Sequence, residues 1–282
     1  MSVAERNMRP APPAPGWTST GFRDSRGRRV TVFFPASHPA WESIGKAYWD
    51  ERLEGLECIR RHAWGGQTRK GHVAGVGTCY FKRFSISNPR YAHKPYRARR
   101  TVRLQDRSRA LGFHVPGTWC LLECRRFGLL VDSAVVMDEL PGFVSTRQLL
   151  NTMPNAVIRS RADKRALLRA AGREVGRRHA CGLFHGDLHP GNLFCRRDGN
   201  GFSFACIDNE EGEGYRRLPD RRRVHDLAHL NRMWGGLSPS DRMRFWTAYT
   251  ESAGLSNAHA RAVRRRVLQH SRRFWTKKGW LQ

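Results

Sequence analysis

Long apolar segments and paired cysteines are both missing from this 282-residue sequence. It contains no run of about 18 apolar residues, the length that a membrane-spanning helix needs, and its first residues contain no apolar signal-peptide core. The seven cysteines include no CxxC pair, which argues against a zinc site and against a disulfide framework. We therefore expect a cytoplasmic protein with reduced thiols, either soluble or peripherally bound at a membrane.

Acidic residues are also scarce. The chain has 24 Asp and Glu against 51 Lys and Arg, a formal net charge of +27, and the excess is mostly arginine spread along the whole length. Such a surface attracts polyanions, and nucleic acid, an anionic membrane or a phosphate-rich substrate would each fit it. An arginine-rich solvated surface without a dedicated site fits the same charge. Nucleic acid is an unlikely partner, because no zinc, RRM or helix-turn-helix signature is present.

The first half of the chain is predicted to be mainly β-structure. Residues 1–16 are rich in Pro and Ala and are predicted to form a disordered tail. Residues 17–57 are predicted to form an N-terminal extension with a strand near 29–34 and a helix near 41–56. Runs of β-forming residues separated by glycine-containing turns follow at 58–64, 72–76, 78–84, 119–124 and 129–137. A helix over 97–111 interrupts what should be a small antiparallel sheet.

The second half is predicted to be mainly helical, from a boundary near residues 138–142. Apolar residues at helical spacing predict a helix over 166–181. Two short strands, 192–196 and 202–207, should form a hairpin, because residues 198–201 (DGNG) tolerate the positive φ of a tight turn. From residue 224 onward the pattern is again helical.

Polar residues with catalytic potential cluster between that helix and that hairpin. Asp187 lies in a loop stiffened by Pro190, and Asn192 follows five residues later. Asp208 comes 21 residues after Asp187, and the hairpin would return it beside the loop. Phosphoryl transfer from ATP needs a carboxylate that orients and deprotonates a hydroxyl, and hard oxygen ligands that hold Mg²⁺. Asp187 is therefore a candidate base, and Asn192 and Asp208 are candidate metal ligands.

Segment 185–192 (HGDLHPGN) resembles the catalytic loop of protein-kinase-like enzymes, in the variant typical of small-molecule kinases. Segment 79–84 (CYFKRF) resembles the third kinase strand, and 135–140 (VVMDEL) resembles the strand that enters the hinge. Segment 223–232 resembles the helix that follows the metal-binding segment. Together these features are most similar to the lipopolysaccharide core kinases, the Kdo/heptose kinase family, over about residues 58–250.

The resemblance implies an α+β, protein-kinase-like two-lobed fold. The N-lobe, a small antiparallel sheet, would comprise residues 58–138, and the mainly helical C-lobe would comprise residues 139–282. The activity implied is transfer of the γ-phosphoryl group of ATP to a hydroxyl of an acidic glycolipid or sugar acceptor, most similar to the lipopolysaccharide inner core. Such an enzyme would act at the cytoplasmic face of the inner membrane, with an anionic membrane surface as a further partner.

The resemblance also implies roles for individual residues. Asp187 would be the catalytic base, and Asn192 and Asp208 would bind Mg²⁺. Lys82 would pair with the α- and β-phosphates of ATP, and Glu139 would lie at the nucleotide-binding hinge. His185 and His189 would orient the loop, and Asp226 would accept hydrogen bonds from its backbone. The residues that carry these implied roles are Asp187, Asn192, Asp208, Lys82, Glu139, His185, His189 and Asp226.

The sequence departs from the family pattern in three places. Asn209 directly follows the metal-binding aspartate, where this family usually has a hydrophobic residue. Two glycine-containing segments, 65–71 and 75–77, are candidates to cover the phosphates, and neither has the GxGxxG pattern. The helix over 97–111 lacks a Glu for the usual ion pair with the strand lysine, and Thr101 stands near its position.

Other functions stay open at this point. A soluble kinase of the aminoglycoside or choline type is one alternative, although a cationic acceptor would favour an acidic pocket that this composition disfavours. A nucleotide-binding pseudokinase is another, because of the departures just described. The basic and aromatic C-terminal segment, 264–280, would suit an anionic headgroup region, and an ordinary solvated helix face fits it equally.

Overall fold

The computed structural model describes residues 11–62, 66–85, 96–199, 201–233 and 237–277. The chain folds into two compact units. Unit 1 contains the residues up to Arg103 together with Gly117–Glu139, and unit 2 contains Leu104–Pro116 together with Leu140–Gln282. Residues 1–10 of the predicted disordered tail lie outside the described residues. Every helix in the described ranges is too short or too polar to span a bilayer.

Unit 1 is built on one antiparallel sheet of seven strands. The strands are β1 (Trp17–Arg23), β2 (Arg29–Pro35), β3 (Glu57–Arg61), β4 (Gln67–Val73), β5 (Gly77–Ser85), β6 (Thr118–Arg126) and β7 (Leu129–Asp138). They lie side by side in the order β1-β2-β6-β7-β5-β4-β3. Four of the five predicted β-runs are confirmed as strands with shifted ends. The run predicted at 72–76 was wrong, because β4 ends at Val73 and residues 74–76 form the turn to β5. The run predicted at 58–64 ends at Arg61, and its last two residues lie outside the described ranges.

Two helices cover the faces of this sheet. Helix α1 (Trp41–Trp49) packs on one face, and the part of helix α2 (Tyr96–Ala110) that belongs to unit 1 packs on the other. The side chains of β2 point alternately to the two faces of the sheet. Those of Val30, Val32 and Phe34 pack on the α1 side, and that of Phe33 packs on the α2 side. Both faces of the strand are therefore buried in apolar core.

The segment 17–57 is not a separate extension. It supplies β1, β2 and α1 to unit 1, because β2 pairs with β6 from Val30↔Cys124 to Phe33↔Leu121. The helix predicted over 41–56 ends earlier, at Trp49. The boundary predicted near 138–142 coincides with the division after Glu139, whereas residues 104–116 belong to unit 2.

Unit 2 is mainly helical, with three short β-pairings. Its helices are α3 (Thr146–Asn151), α4 (Arg161–Ala180), α5 (Asp220–Met233), α6 (Pro239–Ser252) and α7 (Asn257–Lys277). Its strands are β8 (Val144–Ser145), β9 (Leu183–Phe184), β10 (Leu193–Asp198), β11 (Gly201–Cys206) and β12 (Glu213–Gly214). The predicted hairpin is the antiparallel pair β10–β11, and Asn200 of its predicted turn lies outside the described residues.

The core of unit 2 places α4 against α6, with α5 and α7 beside them. Leu168 and Val175 of α4 and Tyr249 of α6 are fully buried in this core. The helices approach closely because α4 carries Gly172, where an added Cβ would overlap the backbone carbonyl of Phe245. This core supports the loop between β9 and β10.

Candidate active site

The loop 185–192 links β9 to β10 and is held at both ends. At its start, the fully buried Asp226 of α5 accepts hydrogen bonds from the backbone N–H of His185 at 2.8 Å and of Gly186 at 2.9 Å. At its far end, the carbonyl of Pro190 accepts hydrogen bonds from the hydroxyl of Thr146 and the N–H of Arg147, where α3 begins. The predicted structural role of Asp226 is thereby confirmed.

Gly186 gives the loop its sharp turn. Its φ is +86°, a value that L side chains rarely adopt, and an added Cβ would lie 2.7 Å from the backbone oxygen of Glu211. The chain therefore needs glycine directly before Asp187. This is the physical reason for the HGD form of the motif in this protein.

His185 fixes the next turn of the loop through both ring nitrogens. Its Nε2 lies 2.9 Å from the backbone oxygen of Ile207, and its Nδ1 accepts a hydrogen bond from the N–H of Asp187 at 3.3 Å. Burial lowers the pKa of His185, so the ring is neutral, with one nitrogen donating and the other accepting. The geometry matches the predicted role of a loop organiser rather than of a base.

The Asp187 carboxylate is partly exposed and has polar neighbours at both oxygens. Its Oδ1 lies 3.4 Å from Nδ1 of His229, and its Oδ2 lies 3.4 Å from Nδ2 of Asn192 and 3.8 Å from Nε2 of His189. The hydrogen bond with His229 is the largest cause that lowers the pKa of Asp187 to about 2. The carboxylate is therefore ionised throughout the neutral range and can accept a proton.

Asn192 is oriented by the same loop. Its Nδ2 donates to the backbone oxygen of Asp187 at 3.0 Å, which leaves its Oδ1 as the atom suited to a cation. Its backbone oxygen accepts the N–H of Ile207 at 3.1 Å, continuing the β10–β11 register beyond Leu193↔Cys206. Asp208, the next residue, is thus returned beside the loop by the hairpin, as the spacing predicted.

The backbone at Asp208 is unusual, with φ 56° and ψ 47° in the left-handed region. A short 3₁₀ turn, Asn209–Glu211, follows it. Asn209 is buried, and its Nδ2 donates to the backbone oxygen of Cys206 at 3.2 Å. The Asn209 amide, at a position where this family usually has a hydrophobic residue, therefore has a backbone hydrogen-bond partner, and the 3₁₀ turn forms with asparagine there.

The residues of this loop fit Mg²⁺. No group of three or more His, Cys, Asp or Glu that could hold a metal occurs in the part of the chain that the structure describes. Mg²⁺ does not require such a cage, since it is usually bound by one or two protein oxygens, water and substrate phosphates. The amide oxygen of Asn192 and the carboxylate of Asp208 are donors of that kind.

Unit 1 holds the candidate nucleotide-binding residues. Lys82 lies on β5 and is 6% exposed, with its Nζ 5.7 Å from the centroid of the Phe84 ring. Glu139 follows β7, and its carboxylate accepts hydrogen bonds from Lys70 at 3.0 Å and from the hydroxyl of Tyr80 at 3.2 Å. The Glu139 carboxylate is therefore bonded within unit 1, and its backbone N–H donates to the oxygen of Thr78 at 3.0 Å, which leaves its backbone oxygen as the candidate nucleotide contact.

The two candidate phosphate-covering segments differ in structure. Most of 66–71 lies in strand β4, and Gly65 lies outside the described residues. In contrast, Gly75 and Gly77 form the turn between β4 and β5, with φ of +77° and +105° and open space where a Cβ would stand. Segment 66–71 is nevertheless the better placed of the two, because Thr68 pairs with Lys82 across β4 and β5. The β4–β5 turn lies at the other end of these strands, where the backbone oxygen of Thr78 accepts the N–H of Glu139.

Helix α2 is attached to the sheet by an ion pair of its own. Arg99 binds the fully buried carboxylate of Glu123 through two hydrogen bonds, of 2.6 and 3.0 Å. Thr101, which stands near the usual position of the helix Glu, is buried, and its hydroxyl donates to the backbone oxygen of Arg97. Within unit 1, an arginine of the helix and a glutamate of β6 thus form the helix–sheet ion pair.

Sequence reasoning overlooked the histidines of α5. His229 lies beside Asp187, and His225 stacks on His229 with ring centroids 4.3 Å apart. The available signal was the spacing along the helix, because residues three or four positions apart share a helix face. His229 follows Asp226 by three positions and His225 by four. The helical prediction for this segment was correct, but it did not reveal that this face meets the loop.

The model of the lipopolysaccharide kinase (Kdo/WaaP) family matches residues 46–249. This chain belongs to that family. It is therefore a kinase, a phosphotransferase with a hydroxyl acceptor, and it acts in lipopolysaccharide core biosynthesis. As a member of a kinase family it uses ATP. The family relationship stated from the catalytic loop is confirmed.

Two solved structures are similar to this chain. The chain is similar to WaaP in complex with acyl carrier protein, at 21% sequence identity and a TM-score of 0.61, over 83% of this chain and 96% of that one. It also matches the Rio2 kinase of Chaetomium thermophilum in a complex with ADP, Mg²⁺ and phosphoaspartate, at 12% identity and a TM-score of 0.46, over 90% of this chain and 81% of that one. No protein of curated function matches the sequence significantly. The predicted protein-kinase-like fold is confirmed by the WaaP likeness.

Proposed function

We propose that this lipopolysaccharide kinase uses Asp187 as the catalytic base that deprotonates a hydroxyl of an inner-core sugar. The observation that carries the proposal is the partly exposed Asp187 carboxylate, which lies on the loop 185–192 between Asn192, His189 and His229. In the reaction, the acceptor O–H bond breaks and its proton passes to Asp187. The acceptor oxygen bonds to the γ-phosphorus, the bond from that phosphorus to the β–γ bridging oxygen breaks, and ADP leaves.

The proposal assigns the metal to Asn192 and Asp208. Mg²⁺ bound there would neutralise charge on the phosphates of ATP. Lys82 would pair with the α- and β-phosphates, and segment 66–71, whose Thr68 pairs with Lys82, would cover them. The backbone oxygen of Glu139 would meet the nucleotide at the hinge. These assignments rest on the motif matches and on the conformations of these residues within each unit.

The proposed test measures transfer of labelled phosphate from ATP and Mg²⁺ into a purified lipopolysaccharide core fraction. We expect wild-type incorporation and a loss of about 10²- to 10⁴-fold in Asp187→Asn, since a positioned base contributes about that much. Asp198→Asn is the matched control, because Asp198 is an exposed aspartate on the β10–β11 hairpin. Equal activity of Asp187→Asn and wild type would refute the assigned base.

Two alternatives correspond to distinct outcomes of the same assay. Transfer to an aminoglycoside or amino alcohol, with none to the core fraction, would favour a small-molecule kinase. Nucleotide binding without transfer to any acceptor would favour a pseudokinase. The satisfied environment of Asn209 and the intact set of Asp187, Asn192 and Asp208 support the active enzyme over the latter.

We further propose that the α7 surface binds the anionic membrane in which the glycolipid acceptor is anchored. Five exposed arginines of α7 have no ion-pair partner in the described part of the chain. They are Arg261, Arg264, Arg265, Arg272 and Arg273. Beside them lies a mainly apolar cavity of about 230 Å³ that is lined partly by Met243, Trp246 and Leu268. Cationic and apolar groups together suit a headgroup region.

Vesicle flotation tests this surface. We expect binding to vesicles that contain phosphatidylglycerol, weak binding to pure phosphatidylcholine, and loss of binding in the Arg264→Ser/Arg265→Ser variant. The similar WaaP structure contains acyl carrier protein, so an acyl carrier protein is the competing partner for the same surface. Binding of the acylated carrier protein without binding to anionic vesicles would replace the membrane proposal.

A further inference from the structure

His229 of helix α5 lies beside the proposed catalytic carboxylate and is held in place by neighbouring side chains. Nδ1 of His229 lies 3.4 Å from Oδ1 of Asp187. One face of the ring is covered by His225, stacked at 4.3 Å and 26°. His225 is in turn packed edge-on against Phe184 at 5.6 Å, and its Nδ1 lies 3.7 Å from Oδ1 of Asp226. The position of the His229 ring is therefore set by its surroundings before any substrate binds.

The two oxygens of Asp187 have different neighbours. Oδ2 faces Asn192 and His189, whereas His229 is the side chain that contacts Oδ1. Nδ1 of His189 accepts the N–H of Gly191 at 3.0 Å, so that histidine is already used to shape the loop. A donor on Oδ1 would stop rotation of the carboxylate and leave Oδ2 to meet the acceptor hydroxyl.

We propose that His229 is a positioning residue for phosphoryl transfer, acting through a hydrogen bond from its Nδ1–H to Oδ1 of Asp187. The inference rests on the proposed role of Asp187 as base. It assigns no substrate contact to His229. Its effect belongs to the chemical step, because the orientation of the carboxylate matters for deprotonation and not for holding ATP.

Three substitutions separate this role from simple packing. Asn places its Nδ2 close to the position of the histidine Nδ1, Gln places its amide nitrogen nearer to the Nε2 position, and Leu fills similar volume without a donor. We expect His229→Leu to lower kcat about 10- to 150-fold, the range that loss of a hydrogen bond to a charged group would give. The KM for ATP should stay within about twofold. His229→Asn should return kcat to within about threefold of wild type, and His229→Gln should not.

His259→Asn is the matched control. His259 lies on α7, and its Nε2 contacts Asp220 at 2.9 Å rather than the catalytic loop. Its kcat should equal that of wild type. The thermal unfolding midpoints of all variants identify any loss of activity that reflects unfolding. Unchanged kcat in His229→Leu, equal losses in the Asn and Leu variants, or a change confined to KM would each overturn the inference.

A spectroscopic measurement decides the hydrogen bond independently of activity. In protein labelled with ¹⁵N-histidine, long-range ¹H–¹⁵N spectra report which ring nitrogens carry protons, and His229→Asn identifies the His229 signals. We expect a protonated Nδ1 whose resonance shifts in Asp187→Ala. A neutral Nε2–H tautomer would overturn the inference. Absence of phosphate transfer in wild type would instead refute the proposed function, and the spectrum would still test the contact with Asp187.

Discussion

The carboxylate of Asp226 accepts a hydrogen bond from the backbone N–H of Gly186 across 2.9 Å, which ties helix α5 to the turn before Asp187, the proposed catalytic base. A second N–H of the loop and Nε2 of His179 lie at the same carboxylate. Burial raises the pKa of Asp226, but the side chains of His179 and His225 outweigh it and hold that pKa well below its usual range. One buried charge thus organises the loop.

Replacing Asp226 with Asn should destabilise unit 2. Asn offers one acceptor oxygen, so one of the two loop N–H groups would face an amide donor and lose its partner. We expect a loss of about 2–4 kcal/mol in the free energy of unfolding, measured by urea denaturation. Asp220→Asn, on the partly exposed start of α5, should cost no more than about 1 kcal/mol. Equal losses for the two variants would contradict this role of Asp226.

Gly186→Ala should distort the loop. The new Cβ would stand 2.7 Å from the backbone oxygen of Glu211 at a φ of +86°, so strain adds to a steric overlap. Gly199→Ala is the matched control, since its φ of +54° has nothing within 4 Å of the added Cβ. We expect about 1 kcal/mol of destabilisation in the control and clearly more in Gly186→Ala, with loss of phosphate transfer only in the latter. If the thermal unfolding midpoints of Gly186→Ala and Gly199→Ala fell by similar amounts, the predicted steric overlap at Gly186 would be contradicted.

Lys82→Met should impair use of ATP while preserving the fold. Lys82 is buried on β5, and Met has similar length and no charge. If Lys82 pairs with the phosphates, kcat/KM for ATP should fall by about 10²-fold or more. Lys46→Met provides the control, because Lys46 lies on α1 and pairs with Glu42. A kcat/KM unchanged from wild type would remove Lys82 from the site.

Acid should destabilise the folded chain through its buried histidines. Burial lowers the pKa values of His179 and His185 below 6.5, so below that pH the unfolded chain binds protons that the folded chain does not. The stabilisation is thus present above the unfolded pKa and lost as pH falls, at up to about 1.4 kcal/mol per pH unit for each site.

Urea denaturation between pH 7.5 and 5.5 measures this dependence. The free energy of unfolding should decrease towards pH 5.5, and His179→Gln should reduce the slope. His72→Gln, at an exposed position on β4, should leave the slope unchanged. A stability that rises as pH falls would reverse the assigned sign.

The placement of Asp208 beside the loop 185–192 was predictable because it depends on residues close together in the chain. Asp187 and Asn192 are five residues apart, and the β10–β11 hairpin that returns Asp208 needs only a short turn. Segment 17–57 was harder to place, because β2 finds its partner β6 some ninety residues later in the chain, as in Val30↔Cys124. Alternation in β2 indicated a strand, but it carried no information on which strand would pair with it.

The sequence by itself determined the segments whose geometry depends on near neighbours: most strands of unit 1, the helices of unit 2 and the β10–β11 hairpin. Only the tertiary structure decided that 17–57 joins the sheet, that Arg99 pairs with Glu123, and that His229 meets Asp187. Turns and periodicity arise from interactions over a few residues, whereas these contacts depend on how whole helices and strands pack. The face of α5 that meets the loop is therefore a property of the folded unit.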